Sequence, residues 1–282
     1  MKSPDPGAAP RLATAHSITA AEFDCEVIEN DAVNPEYMHI VATAEPLATS
    51  IEAGQFFHML CPKDGPNGPF FRRPMSVYRA DPEAGTVAFL YKVTGSGTRA
   101  LATLAPGDRL DLFGPLGVGF SLEPGWRRIV VVGRGVGLAT LAPLAELAAA
   151  NGIGVTAILS ARSPAVMMSA ERFAAAGADV IEVTDAEGTS GPARLERVLR
   201  GLIADGNADA FFTCGSNRLL LLLQRLGREF GIPGQVALEQ QMACGLGMCF
   251  CCVREFRVDG GVAHRRVCWD GPVFDLQEAI SW

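Results

Sequence analysis

The sequence predicts three folded parts: an antiparallel β barrel, an α/β domain with a doubly wound parallel sheet, and a small cysteine-rich module at the end. Short apolar or alternating runs separated by Gly, Pro and Asp fill residues 23–120, which is typical of antiparallel strands. Strand-like and helix-like runs then alternate over residues 124–234, which is typical of a parallel sheet. The cysteines concentrate beyond that point.

The first part contains six strand-like runs in order: "FDCEVIEN", "MHIVATA", "QFFHML", "MSVYRAD", "TVAFLYKV" and "DRLDLFG". Many short strands at this spacing predict an antiparallel barrel or a sandwich. We expect this part to span residues 19–123. Residues 1–18, rich in Pro, Ala and Ser, are expected to form a flexible leader.

The second part alternates four strand-like runs ("RRIVVVG", "VTAILSA", "DVIEVTD", "DAFFTCG") with four helix-like runs ("LATLAPLAELAAANG", "SAERFAAAG", "ARLERVLRGLIADG", "NRLLLLLQRLGREFG"). This order predicts βα units that build one nucleotide-binding domain over residues 124–234. Residues 235–282 are left as a small third module.

Composition narrows the class of partner and the location. The net charge is −7 and the basic residues are scattered, which argues against nucleic acid, since binding to it needs a basic surface. The longest apolar runs are interrupted by Gly, Pro and charge, so we expect no span of about 20 apolar residues in a membrane. The start of the chain lacks the apolar centre of a secretory signal. We expect a cytoplasmic protein.

Four cysteines in the tail have the spacing of an iron–sulfur site. Cys244, Cys249 and Cys252 form Cys-x4-Cys-x2-Cys, and Cys268 follows. This is the plant-type spacing for a [2Fe–2S] cluster, and the glycines of "ACGLGMC" allow a loop to wrap the cluster closely. Cys251 is the alternative to Cys252. We prefer Cys252, because two intervening residues let both side chains turn toward one cluster.

A structural zinc site is the competing interpretation of these cysteines, because zinc uses similar ligands. Zinc modules usually carry two short Cys-x2-Cys knuckles, and the second knuckle is missing here. The spacing therefore favours iron–sulfur.

Two motifs in the first part suggest a flavin. In "FFRRPMSVY", Arg73 is placed to contact a flavin phosphate and Ser76 to reach the flavin ring, although an arginine pair is common on surfaces. In "LYKVTGSGTRAL", Gly95, Gly97 and Thr98 open a helix and offer N–H groups to an anion. A plain turn with Thr98 as its helix cap is the alternative.

Two motifs in the second part suggest a dinucleotide. In "VVVGRGVGLATLAPL", Gly133, Gly135 and Gly137 form a turn between a buried strand and a helix, where a pyrophosphate sits in such domains. A tight strand-to-helix turn explains the same pattern. In "FFTCGSNRLL", Cys214 ends a strand and is a candidate to lie near a nicotinamide ring. A small buried residue before a turn is the alternative.

The order of these motifs, ending in "LEQQMACGLGMCFCCV" and "VCWDGPVF", resembles the electron-transfer subunit of the two-subunit, NAD-linked dihydroorotate dehydrogenases. These belong to the ferredoxin–NADP reductase superfamily. The resemblance covers about residues 20–276. It implies an FAD-binding barrel, an NAD(P)-binding domain and a [2Fe–2S] module.

The resemblance also implies roles for individual residues. It assigns FAD contacts to Arg73, Pro74, Met75, Ser76, Leu90, Tyr91, Lys92, Gly97 and Thr98, and cluster ligation to Cys244, Cys249, Cys252 and Cys268. Where this family has glycine or alanine, the chain has Arg134 and Cys251. Arg134 either narrows the nucleotide site or contacts a phosphate.

The function implied is an electron conduit between NAD(H), FAD, the cluster and a separate flavin-containing catalytic subunit, in a heterotetramer. A first alternative is the reductase subunit of another complex: an NADH-dependent ferredoxin reductase, a sulfide dehydrogenase or a hydrogenase-linked diaphorase. A second, of a different class, is a zinc-stabilised binding module that uses the α/β domain as a scaffold. Arg162 and Ser163 leave the choice of NAD or NADP open.

Overall fold

The computed structural model describes residues 20–45, 50–63 and 68–281. The leader expected at residues 1–18 lies outside them. Within the described ranges, no helix is long and apolar enough to cross a membrane.

The N-terminal part is an antiparallel sheet of seven strands with one short helix. Its elements are β1 (Ala21–Asn34), β2 (Tyr37–Thr43), β3 (Phe56–Met59), β4 (Arg73–Ser76), β5 (Arg79–Asp81), β6 (Thr86–Lys92), α1 (Ser96–Leu101) and β7 (Arg109–Leu116). The strand order is β4-β3-β7-β1-β2-β6-β5. The long strand β1 pairs with β7 through its first half and with β2 through its second half.

The sheet closes on itself because its two outer strands, β4 and β5, follow each other in the chain. Between them, the Val77 N–H donates to the Gln55 carbonyl at 3.0 Å and the Tyr78 N–H donates to the Ala88 carbonyl at 2.9 Å. The run "MSVYRAD", predicted as one strand, is therefore divided in two where the chain crosses from β3 to β6. The predicted antiparallel barrel is confirmed.

The C-terminal half is an α/β domain. Its elements are β8 (Arg128–Arg134), α2 (Gly137–Ala150), β9 (Gly154–Ala161), a 3₁₀ turn (Pro164–Val166), α3 (Ala170–Ala175), β10 (Asp179–Thr184), α4 (Pro192–Ala204), β11 (Ala210–Cys214), α5 (Asn217–Phe230) and β12 (Gly234–Ala237). The sheet order is β10-β9-β8-β11-β12, all parallel.

Helices cover both faces of this sheet, which explains why its strands read as continuous apolar runs. Val130 and Val132 of β8 pack into the core that contains residues of α4 and α5. Ile129 and Val131 pack into the core that contains residues of α2 and α3. The predicted doubly wound domain is confirmed.

The tail adds β13 (Val253–Val258), β14 (Gly261–Arg266), α6 (Val267–Asp270) and β15 (Val273–Asp275). Strands β13 and β14 form a hairpin, and β15 returns to pair antiparallel with β12. The expected boundary after residue 234 thus lies at the first residue of β12. The cysteine-bearing segment is an excursion between two strands of the α/β sheet, and this anchors it beside the barrel.

Candidate cofactor sites

A cavity of about 260 Å³ lies between the barrel and the carboxyl ends of the parallel strands. Its walls come from three parts of the chain: Phe56, Pro74, Met75, Ser76, Leu90, Tyr91, Lys92, Thr94 and Thr98 from the barrel; Val136, Ala139, Thr140, Cys214, Ala237 and Leu238 from the α/β domain; and Glu239, Gln240, Met242 and Pro272 from the tail. The strand order reverses between β8 and β11, which is the usual ligand-binding position in such sheets.

Most of the residues expected to contact FAD meet in this cavity. Residues 74–76 come from β4, residues 90–92 from β6, and Thr98 from α1. They are distant in sequence, but closure of the barrel brings the chain from β4 directly onto β6.

Arg73 and Gly97 lie against each other beside the cavity. A Cβ on Gly97 would stand 2.7 Å from Nε of Arg73, so glycine lets the guanidinium lie in this position against the backbone. Arg73 lines an adjoining groove together with Phe71 and Gln240, and its Nη1 donates to the Phe71 carbonyl at 2.5 Å. The groove holds a fixed positive charge at the mouth of the cavity.

The turn before α1 is held by the side chain of Thr98. Its hydroxyl accepts hydrogen bonds from the N–H groups of Thr94 at 2.9 Å and Gly95 at 3.1 Å. The Gly95 N–H, considered above as an anion donor, is therefore already paired. Thr98 both caps the turn and lines the cavity.

The glycines from the end of β8 to the start of α2 allow the start of helix α2 to lie close to the end of strand β11. A Cβ on Gly137 would lie 2.6 Å from the carbonyl carbon and oxygen of Cys214, and Gly135 has a φ of +57°. A Cβ on Gly133 would lie 2.7 Å from side-chain carbons of Leu138 and Leu141. The turn therefore packs the start of α2 tightly onto the end of β11.

Cys214 lies in the cavity wall, and its Sγ is 4.0 Å from Oε1 of Glu239. Burial raises the pKa of the Cys214 thiol well above its usual value, and the nearby Glu239 adds to the effect. Burial also raises the pKa of Glu239. Both groups are therefore kept neutral over a wider pH range than usual.

Glu239 and Thr140 were not predicted as site residues. The Thr140 hydroxyl lies 2.9 Å from the Ser76 hydroxyl, so a hydrogen bond joins the two domains at the cavity. Glu239 follows β12 by two residues. It would have been recognised as an acid at the carboxyl edge of the sheet if the short strand "GQVA" had been predicted.

Arg134 reaches the neighbouring strands. Its guanidinium contacts Asp185 Oδ2 at 2.6 Å and Ser160 Oγ at 2.8 Å, and this contact lowers the pKa of Asp185. Arg162 forms an ion pair with Glu36, which also contacts Lys92 at 2.9 Å. Both arginines at this edge of the sheet therefore have carboxylate partners.

The four tail cysteines expected as ligands are arranged in two pairs. In each pair one thiol affects the ionisation of the other: Cys249 acts on Cys244, and Cys268 acts on Cys252. Cys251 is exposed, and its Sγ lies 3.9 Å from the Gln241 carbonyl. Cys251 thus contacts the backbone of Gln241, and none of the N–H groups that donate to Cys244, Cys252 and Cys268 reaches it.

Backbone N–H groups surround these sulfurs. Leu246 donates to Cys244 Sγ at 3.3 Å, Gly247 to Cys268 Sγ at 3.2 Å, and Cys268 to Cys252 Sγ at 3.4 Å. Gly245 has a φ of +72°. The left-handed conformation turns the amides inward, and glycine adopts it without steric cost.

The neighbours of these cysteines shift the pKa values of their thiols. Burial opposes the ionisation of Cys244, but the N–H groups of Cys249 and Leu246 outweigh it and lower the pKa of the thiol to about 7. The hydrogen bond with Cys268 lowers the pKa of Cys252 to about 6 and raises that of Cys268. Stabilised thiolates are what metal ligation requires.

Residues 239–280 match the family model of the iron-sulfur cluster binding domain of dihydroorotate dehydrogenase B. The chain is 30% identical over 258 residues to the electron transfer subunit of dihydroorotate dehydrogenase B (NAD(+)) from Desulforamulus reducens, covering 92% of this chain and 98% of that one. This chain belongs to that family. The corresponding subunit of Geobacillus thermodenitrificans is 34% identical, with 90% and 96% covered.

Solved structures agree with the family. The NADH-dependent reduced ferredoxin-NADP oxidoreductase has a TM-score of 0.76 and 26% identity, with 90% of this chain and 88% of that chain covered. The ferredoxin reductase of carbazole 1,9a-dioxygenase, at 18% identity and a TM-score of 0.59, shares the fold over 77% and 68% of the two chains. The resemblance found in the motif order and the ferredoxin-reductase-like fold are both confirmed.

Proposed function

We propose that this chain is the electron-transfer subunit of a two-subunit dihydroorotate dehydrogenase. It carries electrons between NAD(H) and a separate flavin-containing catalytic subunit, through FAD and a [2Fe–2S] cluster. The observation that carries the proposal is that the chain segments on either side of the four cysteines line a cavity at the junction of the barrel and the α/β domain. Cys244 follows Met242 by two residues, and Cys268 precedes Pro272 by four residues. Met242 and Pro272 both line the cavity.

The cavity suits the ring of a flavin. Leu90, Val136 and Met242 supply apolar walls, while Ser76 and Lys92 supply polar groups. Arg73 in the adjoining groove supplies a cation for the diphosphate. Bound FAD would supply the ability to accept two electrons together and release them singly.

The protein contributes orientation and exclusion of water at this site. The Ser76–Thr140 hydrogen bond fixes the barrel against the α/β domain. Cys214 is buried, and the raised pKa of Glu239 favours a proton on its carboxyl group. The nicotinamide is proposed to approach this wall, with its pyrophosphate near the turn at Gly133, Gly135 and Gly137.

We assign the cluster to Cys244, Cys249, Cys252 and Cys268. Two thiolates for each iron is the arrangement of a [2Fe–2S] cluster with four cysteine ligands, and two pairs of thiols, in each of which one thiol lowers the pKa of the other, fit it. The N–H groups that point at these sulfurs also suit a cluster, whose potential depends on such bonds. Cys251 lies outside the ligand set.

The catalytic partner is proposed to meet the loop that carries the cysteines, within a heterotetramer. Met248 and Phe250 of this loop are 78% and 65% exposed, and large exposed apolar groups mark contact surfaces. We propose the cytoplasm as the location, because a reducing compartment keeps cysteines out of disulfides and so available as cluster ligands.

Anaerobic purification followed by absorption spectroscopy tests the cofactors. The protein should be brown, with flavin bands and iron–sulfur absorption, and should contain iron and acid-labile sulfide in equal amounts. A colourless protein that contains zinc would contradict the proposal and favour a binding module. Co-purification with a flavin-containing dehydrogenase subunit, assayed against dihydropyrimidines, separates this function from a ferredoxin reductase or another complex.

Arg73→Ala tests the flavin assignment. Loss of a charge-assisted hydrogen bond costs about 1.5–3 kcal/mol, so the Kd for FAD should rise roughly 10- to 100-fold in fluorescence titrations. Arg79→Ala is the matched control, because Arg79 pairs with the nearby Asp81 and is 63% exposed. Equal FAD affinity in the two variants would contradict the assignment.

A further inference from the structure

His58 occupies a position where the fold would ordinarily take an apolar side chain. It lies on β3, whose residues alternate between the barrel interior and the outside. Phe57 and Met59 belong to the barrel core, whereas Phe56 belongs to the core shared with the tail and the α/β domain. His58 shares the outward face with Phe56 and is completely buried.

The imidazole of His58 faces the cysteine loop. A Cβ built on Gly245 would stand 3.2 Å from its Cε1 and 3.3 Å from its Nε2, so the ring edge rests on the backbone between Cys244 and Leu246. On its other side, the ring centroid is 5.7 Å from that of Phe56, which lines the proposed flavin cavity. His58 therefore lies between the two proposed cofactor sites.

Neither ring nitrogen of His58 has a hydrogen-bond partner among the described residues, although both are shielded from solvent. Burying a polar N–H without an acceptor costs free energy. The residues packed around the ring offer none: Phe56 and Leu116 are apolar, and Arg72 carries a positive charge that is held by Asp111. The described residues therefore leave the ring N–H available to an acceptor on a group that the protein binds.

The ring is neutral at physiological pH. Burial and the positive charge of Arg72 lower the pKa of His58 to about 4. A neutral imidazole keeps one N–H donor, and thiolate and sulfide sulfurs are acceptors for such donors.

We infer that His58 donates a hydrogen bond from its imidazole to a sulfur of the [2Fe–2S] cluster held by the 244–249 loop. This inference rests on the proposed function, which supplies the cluster. Hydrogen bonds to the sulfurs stabilise the more negative, reduced state, because it is the stronger acceptor. His58 thus raises the reduction potential of the cluster on the side that faces the flavin cavity.

Two measurements on the purified holoprotein test this inference. The first is pulsed electron paramagnetic resonance of the reduced protein, prepared with either natural or ¹⁵N-labelled histidine. A weak histidine nitrogen coupling is expected in the wild type and in His39→Leu, and it should vanish in His58→Leu. His39 is the matched control, because it lies in the same barrel and pairs with Glu29.

The second measurement is a redox titration of the cluster. His58→Leu should shift the midpoint potential to a more negative value, whereas His58→Gln, which keeps an N–H donor, should retain most of the wild-type potential. His39→Leu should leave the potential unchanged. If His58 had a purely structural role, the wild type would show no histidine nitrogen coupling, and His58→Leu and His58→Gln would have the same midpoint potential.

Failure of the inference can be told apart from failure of the proposed function. A protein that shows no two-iron signal on reduction refutes both. A wild-type protein with that signal but with no histidine coupling, or with the strong coupling of a directly bound nitrogen, overturns the inference alone. So does an unchanged potential in His58→Leu. The labelled wild type gives an answer even if His58→Leu does not fold.

Discussion

Cys214 lines the cavity, and the tail thiols lie on the segment between two of its other lining residues, Met242 and Pro272. The two kinds of thiol have opposite electrostatic surroundings. Hydrogen bonds lower the pKa of Cys244 to about 7 and that of Cys252 to about 6. Burial, reinforced by Glu239, raises the pKa of Cys214 well above its usual value. The residue type is the same, so the difference comes from the neighbours. Backbone N–H donors make a thiol suitable as a metal ligand, whereas an apolar wall with a carboxyl group keeps it neutral.

The largest expected effect is loss of the cluster from Cys252→Ser. Cys252 is buried and paired with Cys268, so its removal leaves one iron with an incomplete ligand set. We expect nearly all iron–sulfur absorbance to disappear while FAD is retained.

Cys251→Ser, at the position just before Cys252, is the matched control. This variant should keep its iron and sulfide content. If Cys251→Ser lost the cluster and Cys252→Ser kept it, the third ligand would be Cys251. Hydrogen bonds from backbone N–H groups would then not mark the ligand thiols.

Thiol alkylation of the native holoprotein should separate Cys214 from Cys251. Cys251 is exposed, whereas Cys214 is 2% exposed at a strand end in a sheet. Local opening there costs about 3 kcal/mol or more, so iodoacetamide should react roughly 100-fold more slowly with Cys214. Peptide mass spectrometry measures both rates. Comparable rates would show that the cavity wall opens freely.

Gly137→Ala tests how closely the cavity wall is packed. The new Cβ would lie 2.6 Å from the backbone of Cys214, and overpacking of this kind destabilises proteins by about 1–3 kcal/mol. Urea unfolding should show that loss.

Gly201→Ala is the opposite control. It lies within α4 and its Cβ meets nothing within 4 Å, so the variant should gain about 0.5–1 kcal/mol. Equal stabilities for the two variants would contradict the close approach of α2 and β11.

The smallest effect is the pH dependence contributed by Glu239. Because burial raises its pKa, its favourable contribution is complete below the ordinary glutamate pKa of about 4.3 and is lost as the pH rises through the raised value. Glu239→Gln has no charge to bury. Its free energy of unfolding should therefore fall less than that of the wild type between about pH 5 and pH 8. Parallel pH profiles in urea unfolding would place Glu239 in a solvated setting.

The cysteine tail and the flavin cavity also differ in how much of each could be predicted from the sequence. The cysteine spacing is local, and the candidate ligands span only residues 244–268. The flavin motifs needed barrel closure to bring residues 74–76 beside residues 90–92. Glu239 and Thr140 were missed because β12 is a four-residue strand and Thr140 lies within an Ala- and Leu-rich helix without a local signal.

The sequence alone predicted the two sheet types, most elements of the barrel and the α/β domain, and the spacing of the candidate cluster ligands, because these follow from short-range periodicity and spacing. The order of the motifs indicated the family. Tertiary structure decided which polar groups come together. Cys214 with Glu239, Ser76 with Thr140, and His58 with Gly245 are each separated by more than 20 residues in the chain. Their chemistry depends on burial and on the absence or presence of a hydrogen-bond partner. Only the packing of the barrel, the sheet and the returning tail sets those two quantities.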